Sequence, residues 1–550
     1  MQTDTLAHCL EHWVKETPDR VWLRDLREGG GEYTWAQAQT EIHAAGAALE
    51  KRFGHGTRML VLSRNCPHWF FADLAIIGSG NVTVPLFTTH PPATAGYIAE
   101  FTESKVIFVG ESPNWETIRP AMPEGITVIS LPGAEVAGAD MTWAELIAEG
   151  EGSTPEFEGK SDDVVSLVFT SGTTGLPKGV IQTHDSSIVP IRRAFDYLDM
   201  MDHPTPRYFS YLPLSHIAER QIVEYSSMQT GGEVFFIDAL EHLARDMAKA
   251  RPHVFFGAPR VWEQLQGAVI NQFGGQEAFD AAMASDPEGV GKLVLGGLGL
   301  DEVKVCLVAA APTPPPLLHW WHALGLMLVE GFGQTEAMAL ILSKEDSWRI
   351  GSVGKAMDGV DVRLTEEDEL VVRADGFTPG YYKNPEKTDE LIKDGWLYTG
   401  DKARIDDDGF IYITGRVKDY FKTIQGKFVA PPPIEGAFAE SHLVEQQCLM
   451  GRGLSKTVMV AVLSEAGKSE DQATVESALS AKVAEINDTI EKHARIGALI
   501  LSTELWAIEN EILTPTLKIR REKIEERFGE LAAELARSAA EQRKLLLHWD

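Results

Sequence analysis

The stretch from Asp163 to His184, DVVSLVFTSGTTGLPKGVIQTH, constrains this chain more than any other. Val164 to Phe169 is an apolar, β-branched run that reads as a buried strand. It breaks into Thr170-Ser171-Gly172-Thr173-Thr174-Gly175-Leu176-Pro177-Lys178-Gly179, and Val180-Ile181 resumes the apolar pattern. The glycines free the backbone to curl with its N–H groups turned inward, and such a nest binds anionic oxygens. Hydroxyls and the Lys178 ammonium add donors, so a polyphosphate is the natural guest. The spacing fails G-x-x-x-x-G-K-[ST], because Pro177 precedes the lysine and Gly179 follows it. A Gly/Thr-rich hairpin turn is the competing reading.

Length and charge narrow the classes around that loop. A chain of 550 residues exceeds one ordinary domain and predicts two or more. A net charge of −31 argues against nucleic-acid binding, which needs a basic footprint. Any anionic substrate must then be drawn in by local basic groups. Cys9, Cys66, Cys306 and Cys448 lie far apart with no metal-ligand spacing, which predicts reduced structural thiols and a cytoplasmic protein. The N-terminus lacks a basic region followed by an apolar core, so no signal peptide is expected. No apolar run is long enough to span a bilayer, which leaves peripheral contact with the inner face of a membrane open.

From residue 1 to about 160, helical and strand patterns alternate. Thr34 reads as the N-cap of a helix running to about Phe53. Arg58 to Leu62, Val82 to Pro85 and Val106 to Val109 read as strands, with a helix from Trp69 to Ile77. That alternation predicts α/β architecture, with parallel sheets covered by helices. The Gly-, Pro- and acid-rich stretch from about Leu131 to Asp163 reads as connection rather than core. Phe528 to Asp550 has amphipathic helical spacing.

Further motifs follow. Tyr211 to Arg220, YLPLSHIAER, puts His216 just beyond an apolar strand end, where a histidine is as a rule structural. Pro259 to Glu263 reads PRVWE. The strand Val303 to Val308 delivers Ala309, Ala310, Ala311 and Pro312. In Glu330 to Glu336, EGFGQTE, Gly331 and Gly333 let the backbone approach a flat ligand around Phe332, with Gln334 and Thr335 following. Glu336 offers hard oxygens suited to Mg²⁺. The residues alone leave a second reading open, a strand-to-helix turn with Glu336 at a solvated helix start. YTGD places Asp401 in a turn, GRVKD carries Arg416 and Lys418, GKFVAPPPIE follows Gly426, and LTPTLKIRR carries Lys518 before a helix.

In order and spread, these motifs resemble those of the AMP-forming acyl-adenylating superfamily, with PRVWE, GKFVAPPPIE and LTPTLKIRR most similar to long-chain fatty acid–CoA ligases. The resemblance implies a large N-terminal domain, 1–417, and a small mobile α+β C-terminal domain, 418–550. It implies ATP, Mg²⁺ and coenzyme A as cofactors and a medium- to long-chain fatty acid as substrate, activated to an acyl-adenylate and passed to a thiol. By resemblance, Thr170, Ser171, Gly172, Thr173, Thr174, Gly175 and Lys178 hold the β- and γ-phosphates, and Glu336 and Thr170 serve the metal. Ala310, Ala311, Pro312, Gly331, Phe332, Gly333 and Gln334 line the adenine and acyl side. Asp401 and Arg416 take the ribose, while Thr335 and Lys518 take the α-phosphate. His216 borders the carboxylate pocket, Lys418 is the hinge, and the Gly426 loop turns inward for the second step. Ala309 stands where the family has glycine. An aryl or shorter acid loaded onto CoA or a carrier protein is the alternative, and a nucleotide-binding scaffold without turnover is a third. The oligomeric expectation is a monomer or homodimer.

Overall fold

The helix Pro67–Gly78, PHWFFADLAIIG, is apolar on every face, and a helix of that composition has to be buried all round. It is: Trp69, Phe70, Phe71, Ala72, Ala75 and Ile76 are fully shielded, and they join a core cluster fed by strands of two different sheets. A computed structural model of the chain describes residues 5–170, 176–200, 205–507, 510–514 and 518–550. It divides into two compact units. The first comprises Met1–Val362, Val372–Leu397 and Asp407–Ile411, and the second Arg363–Val371, Tyr398–Asp406 and Tyr412–Asp550.

In the first unit, a seven-stranded sheet runs Met141–Thr142, Thr127–Ser130, Val106–Val109, Arg58–Leu62, Val82–Leu86, Val164–Thr170, Lys178–Thr183. Its strands pair in parallel except the last, which turns back antiparallel on Val164–Thr170. The second sheet is nine-stranded, and its centre is parallel through Val21–Asp25, Glu233–Phe236, Arg207–Ser210, Val254–Gly257, Val305–Val308 and Leu328–Gln334. Antiparallel strands close both of its edges. The strands expected from periodicity fall where the apolar runs lie. Thr34 does cap the helix Trp35–Phe53, through a reciprocal box with Gln37.

Two expectations fail. The stretch taken as connection contains the helix Trp143–Glu149, capped by a Thr142–Glu145 box, with Trp143 and Leu146 buried. Trp143 Nε1 also donates to Glu41 Oε2 at 2.8 Å, so one short helix is stitched into the core by two residues that a loop-like composition hides. The tail is not helical to its end. The helix Arg521–Gln542 stops at Arg543, whose φ of 54° is left-handed, and Leu546–Trp549 adds a parallel strand to Ile496–Ser502.

The second unit carries a four-stranded sheet in the order Val444–Met450, Thr457–Leu463, Ile496–Ser502, Leu546–Trp549. Every residue of Thr457–Leu463 is buried. Met459, Ala461 and Leu463 face the cluster of helices Pro431–Ala439 and Gln472–Thr489, while Val458, Val460 and Val462 face Arg521–Gln542. Both faces are covered, which explains an unbroken apolar strand. Among the described residues, no helix is long and apolar enough to cross a membrane.

One charged residue interrupts the apolar helix Pro67–Gly78. Asp73 accepts from Arg220 Nη2 at 2.5 Å, and both side chains are fully shielded. Arg220 Nη1 donates to Ser166 Oγ at 2.7 Å, and the guanidinium lies over the rings of Trp69 and Tyr225. Arg220 opens a π-helical turn, Arg220–Tyr225, that also brings in Glu224. Burial, and then the neighbouring Asp73, push the Glu224 carboxyl well above the usual carboxylate range. Ser166 lies on the strand that feeds the glycine-rich loop, so this network ties that strand to the segment after His216.

Candidate active site

Ser171, Gly172, Thr173, Thr174 and Gly175, the centre of the glycine-rich loop, lie outside the described residues. Thr170 pairs directly with Lys178 across the antiparallel strands, so the strands that flank the loop run back on each other; the phosphate nest expected of Ser171 to Gly175 falls outside the described residues. The Lys178 Nζ stands 5.1 Å from the centroid of the Tyr381 ring. Tyr381 arrives on a segment laid along Lys178–Thr183, with Ile181 N donating to Gly380 O at 3.0 Å and Tyr382 N to Gly179 O at 2.8 Å.

Thr335 and Glu336 form the two-residue connection between Leu328–Gln334 and Ala337–Leu342, with Gln334 opposite Ala337. The alternative of a helix start is therefore excluded; Glu336 sits at a hairpin tip. Three bonds fix that tip. Gln182 Nε2 donates to Thr335 O at 2.8 Å, Thr378 N to Glu336 O at 2.9 Å, and the Tyr381 hydroxyl to Glu336 Oε1 at 2.6 Å. Sequence reasoning missed Gln182 as a support, Thr378 and Tyr381. The last two lie about forty residues beyond Glu336 in an undistinguished turn, and nothing in the sequence announces them.

Gly331, Phe332, Gly333 and Gln334 lie on the strand itself, with Phe332 half-buried. A Cβ at Gly333 would stand 3.2 Å from Ala339 N, where the neighbouring strand bulges around the left-handed Ala339, so this glycine also serves sheet packing. Glu330, just before them, was not singled out, yet burial pushes its carboxyl up to about 7. His216 caps the short helix Ile217–Glu219, its Nδ1 accepting from Ala218 N at 3.2 Å. That bond places the ring proton on Nε2. Glu219, beneath it, is fully enclosed and raised to about 8 by burial, against the Tyr211 N–H that it accepts at 3.0 Å.

Ala310, Ala311 and Pro312 are exposed at the end of Val305–Val308. The expected departure from glycine was at Ala309, but the left-handed residue is Ala310, at φ 74°. An alanine there crowds its Cβ against the following carbonyl. Ala310→Gly should therefore stabilise the protein by about 0.5–1 kcal/mol, net of the extra unfolded-state entropy of glycine. A urea midpoint that stays put or falls would show that this turn carries no strain.

In the second unit, Asp401 and Arg416 are brought together, Arg416 Nε lying 2.9 Å from Asp401 Oδ1 with the aspartate only 7% exposed. Lys418 is exposed in the turn after Ile411–Arg416. Gly426, at φ 74°, turns the hairpin between Phe421–Lys422 and Phe428–Val429, whose Ile424 and Phe428 stand well out in solvent. Lys518 is exposed, and its backbone is clasped by Thr514: Lys518 N donates to Thr514 Oγ1 at 3.0 Å, and Thr514 N to Lys518 O at 2.8 Å. Pro515, Thr516 and Leu517 lie outside the described residues. Arg521, to which sequence reasoning gave no role, anchors the segment by pairing with Glu435 and lying 3.7 Å from Asp419.

Among the described residues, no three His, Cys, Asp or Glu side chains gather as a self-sufficient metal centre. The Glu336 carboxylate, oriented by the Tyr381 hydroxyl, offers hard oxygens of the kind a magnesium ion takes alongside ligands from elsewhere. The residues fit that ion.

The AMP-binding enzyme family matches residues 10–382, and the AMP-binding enzyme C-terminal domain matches residues 418–537. The chain is 27% identical to the long-chain-fatty-acid–CoA ligase FadD15 of Mycobacterium bovis, with 96% of each chain covered. It is 28% identical to the long-chain-fatty-acid–CoA ligase ACSBG2 of Gallus gallus, over 87% of this chain and 74% of that one. Among solved structures, it overlays the A domain of a carboxylic acid reductase from Segniliparus rugosus, in complex with AMP and a co-purified carboxylic acid, with a TM-score of 0.76 and 22% identity over 96% of this chain and 94% of that one. An anthranilate CoA ligase, AuaEII, in complex with anthranoyl-AMP, overlays with a TM-score of 0.77 and 20% identity over 95% of this chain and 97% of that one. At such identities the two structures speak for the fold, and the family match, extending over well more than half of the chain, settles its membership: this is an AMP-binding enzyme.

Proposed function

We propose that the chain is an AMP-forming long-chain fatty acid–CoA ligase. The observation that carries the chemistry is the meeting of Lys178, Tyr381 and Glu336 at the base of the glycine-rich hairpin. The acyl group rests on the end-to-end similarity to long-chain-fatty-acid–CoA ligases. In the first half-reaction a carboxylate oxygen attacks the α-phosphorus of ATP, giving acyl-AMP and pyrophosphate. Two anions must meet, so the task of the protein is to neutralise charge and align the groups. Thr170 and Lys178, with the glycine-rich sequence between them, hold the departing phosphates, and Thr335 and Lys518 bind the α-phosphate. Asp401 and Arg416 hold the ribose, Phe332 packs on the adenine, and His216 borders the carboxylate. Magnesium, when bound at Glu336, supplies charge neutralisation to the phosphate oxygens. In the second half-reaction the thiol of coenzyme A displaces AMP from the mixed anhydride; AMP is already a good leaving group, so no protein nucleophile is required. The cysteines, all four of them buried, stay out of the chemistry. Their free state also favours work in the cytoplasm, at the inner face of a membrane where fatty acids partition.

Lys518 has to act in the first step and withdraw for the second, which calls for two domains, 1–417 and 418–550, moving about Lys418. Lys418→Pro would fix φ at a residue that must change its backbone angles. Acyl-AMP should accumulate and thioester output should fall at least tenfold, a barrier rise of about 1.4 kcal/mol. Normal turnover by a folded Lys418→Pro protein would remove the hinge from that position.

The acyl assignment is tested by kcat/KM for straight saturated acids of increasing length beside one rigid aryl acid, with CoA in excess. Each buried methylene contributes about 0.8 kcal/mol, so efficiency should climb up to acids of about ten to eighteen carbons. A preference for the aryl acid, or a fall beyond short acids, would overturn the fatty-acid assignment while leaving adenylation intact.

A further inference from the structure

Lys178 and Glu336 are opposite charges near one another, and in a half-buried site a direct ion pair would satisfy each with the other. Neither would then be ready for an incoming ligand. Tyr381 stands between these roles: its ring face carries the Lys178 ammonium, centroid to Nζ 5.1 Å, while its hydroxyl donates to Glu336 Oε1 at 2.6 Å. The tyrosine itself is held from behind. Tyr381 N donates to Thr388 Oγ1 at 3.0 Å, and Thr378 Oγ1 donates to Ile181 O at 2.6 Å. Gly380, at φ 138°, has no room for a Cβ, which would stand 2.6 Å from that same Thr388 Oγ1. The ring is therefore placed by the backbone pairing of its segment with Lys178–Thr183, and by a glycine whose replacement would dislodge it.

We propose that Tyr381 is a positioning residue that holds the phosphate-side lysine and the metal-side carboxylate apart and presents both to a magnesium–polyphosphate. The proposal rests on the nucleotide chemistry put forward above. It makes separate demands on the two halves of one side chain. The hydroxyl orients a metal-binding carboxylate, and losing such a partner lowers metal affinity about tenfold or more. The ring supports a cation, and only its removal should reach Lys178.

The experiment measures ATP binding by calorimetry as Mg²⁺ is varied, without acid or CoA, for the full chain and for Tyr381→Phe, Tyr381→Leu, Glu336→Gln and the Tyr381→Phe/Glu336→Gln double variant. Tyr381→Phe should raise the Mg²⁺ half-saturation about tenfold and leave magnesium-free ATP binding unchanged. Tyr381→Leu should weaken both. In the Glu336→Gln background, Tyr381→Phe should have no further effect. An unchanged half-saturation in folded Tyr381→Phe, or the same loss in both backgrounds, would overturn the proposal. So would equal behaviour of the Phe and Leu variants, the mark of a merely structural side chain. A wild-type protein that binds magnesium–ATP yet turns over no acid would instead refute the ligase assignment, with Tyr381 still judged on its binding data.

Discussion

Lys518→Ala is expected to slow acyl-adenylate formation about a thousandfold, roughly 4 kcal/mol of transition-state stabilisation, and to leave thioester formation from supplied acyl-AMP nearly intact. The asymmetry follows from charge. Only the first half-reaction joins two anions, and a cation at the α-phosphate is worth most where negative charge accumulates. The second displaces a leaving group that is already stable. The structure makes alanine a clean probe: the bonds that clasp residue 518 to Thr514 run through its backbone N–H and carbonyl, so truncating the side chain leaves the loop tied. Equal loss in both half-reactions would mean that Lys518 serves the fold of its loop instead.

Arg220→Leu is the largest expected loss of stability, about 3–5 kcal/mol, because it strands Asp73 without a partner in a fully buried site. Glu224→Gln should cost under about 1 kcal/mol, since a neutral amide of similar shape replaces a carboxyl whose charged form burial and Asp73 disfavour. The sign of the pH dependence follows. The fold retains the Glu224 proton that the unfolded chain releases above about pH 4.3, so this stabilisation is complete below that pH and declines as pH rises. Glu224→Gln should flatten that decline. Urea midpoints between pH 4 and 9 check both variants. An Arg220→Leu protein as stable as the wild type would show that the network is not needed to close the core between the sheets.

The sequence was legible where one local signal sufficed. Apolar runs such as Val106–Val109 and Arg58–Leu62 became strands at those residues, and the Thr34 cap was written in the side chains that make it. The helix Trp143–Glu149 was hidden because seven residues with one buried tryptophan cannot outweigh a Gly- and acid-rich neighbourhood. The strand Leu546–Trp549 was hidden because four apolar-rich residues after a long helix fit either period. Lys178 and Glu336 stood out in the sequence by their chemistry, and Asp401 and Arg416, which the fold pairs, by the motifs that carry the family resemblance. Tyr381 and Arg521 did not, since each acts across a distance in sequence that no local pattern encodes. Ala310 shows the remaining limit: three successive alanines give no sign of which one bears the left-handed backbone.

Reversible adenylation is tested most directly by acid-dependent exchange of labelled pyrophosphate into ATP without coenzyme A. A saturated fatty acid and Mg²⁺ should drive the exchange, omission of either should abolish it, and Lys518→Ala should reduce it about a thousandfold. No exchange with any carboxylic acid, or cleavage of ATP to ADP and phosphate, would contradict it.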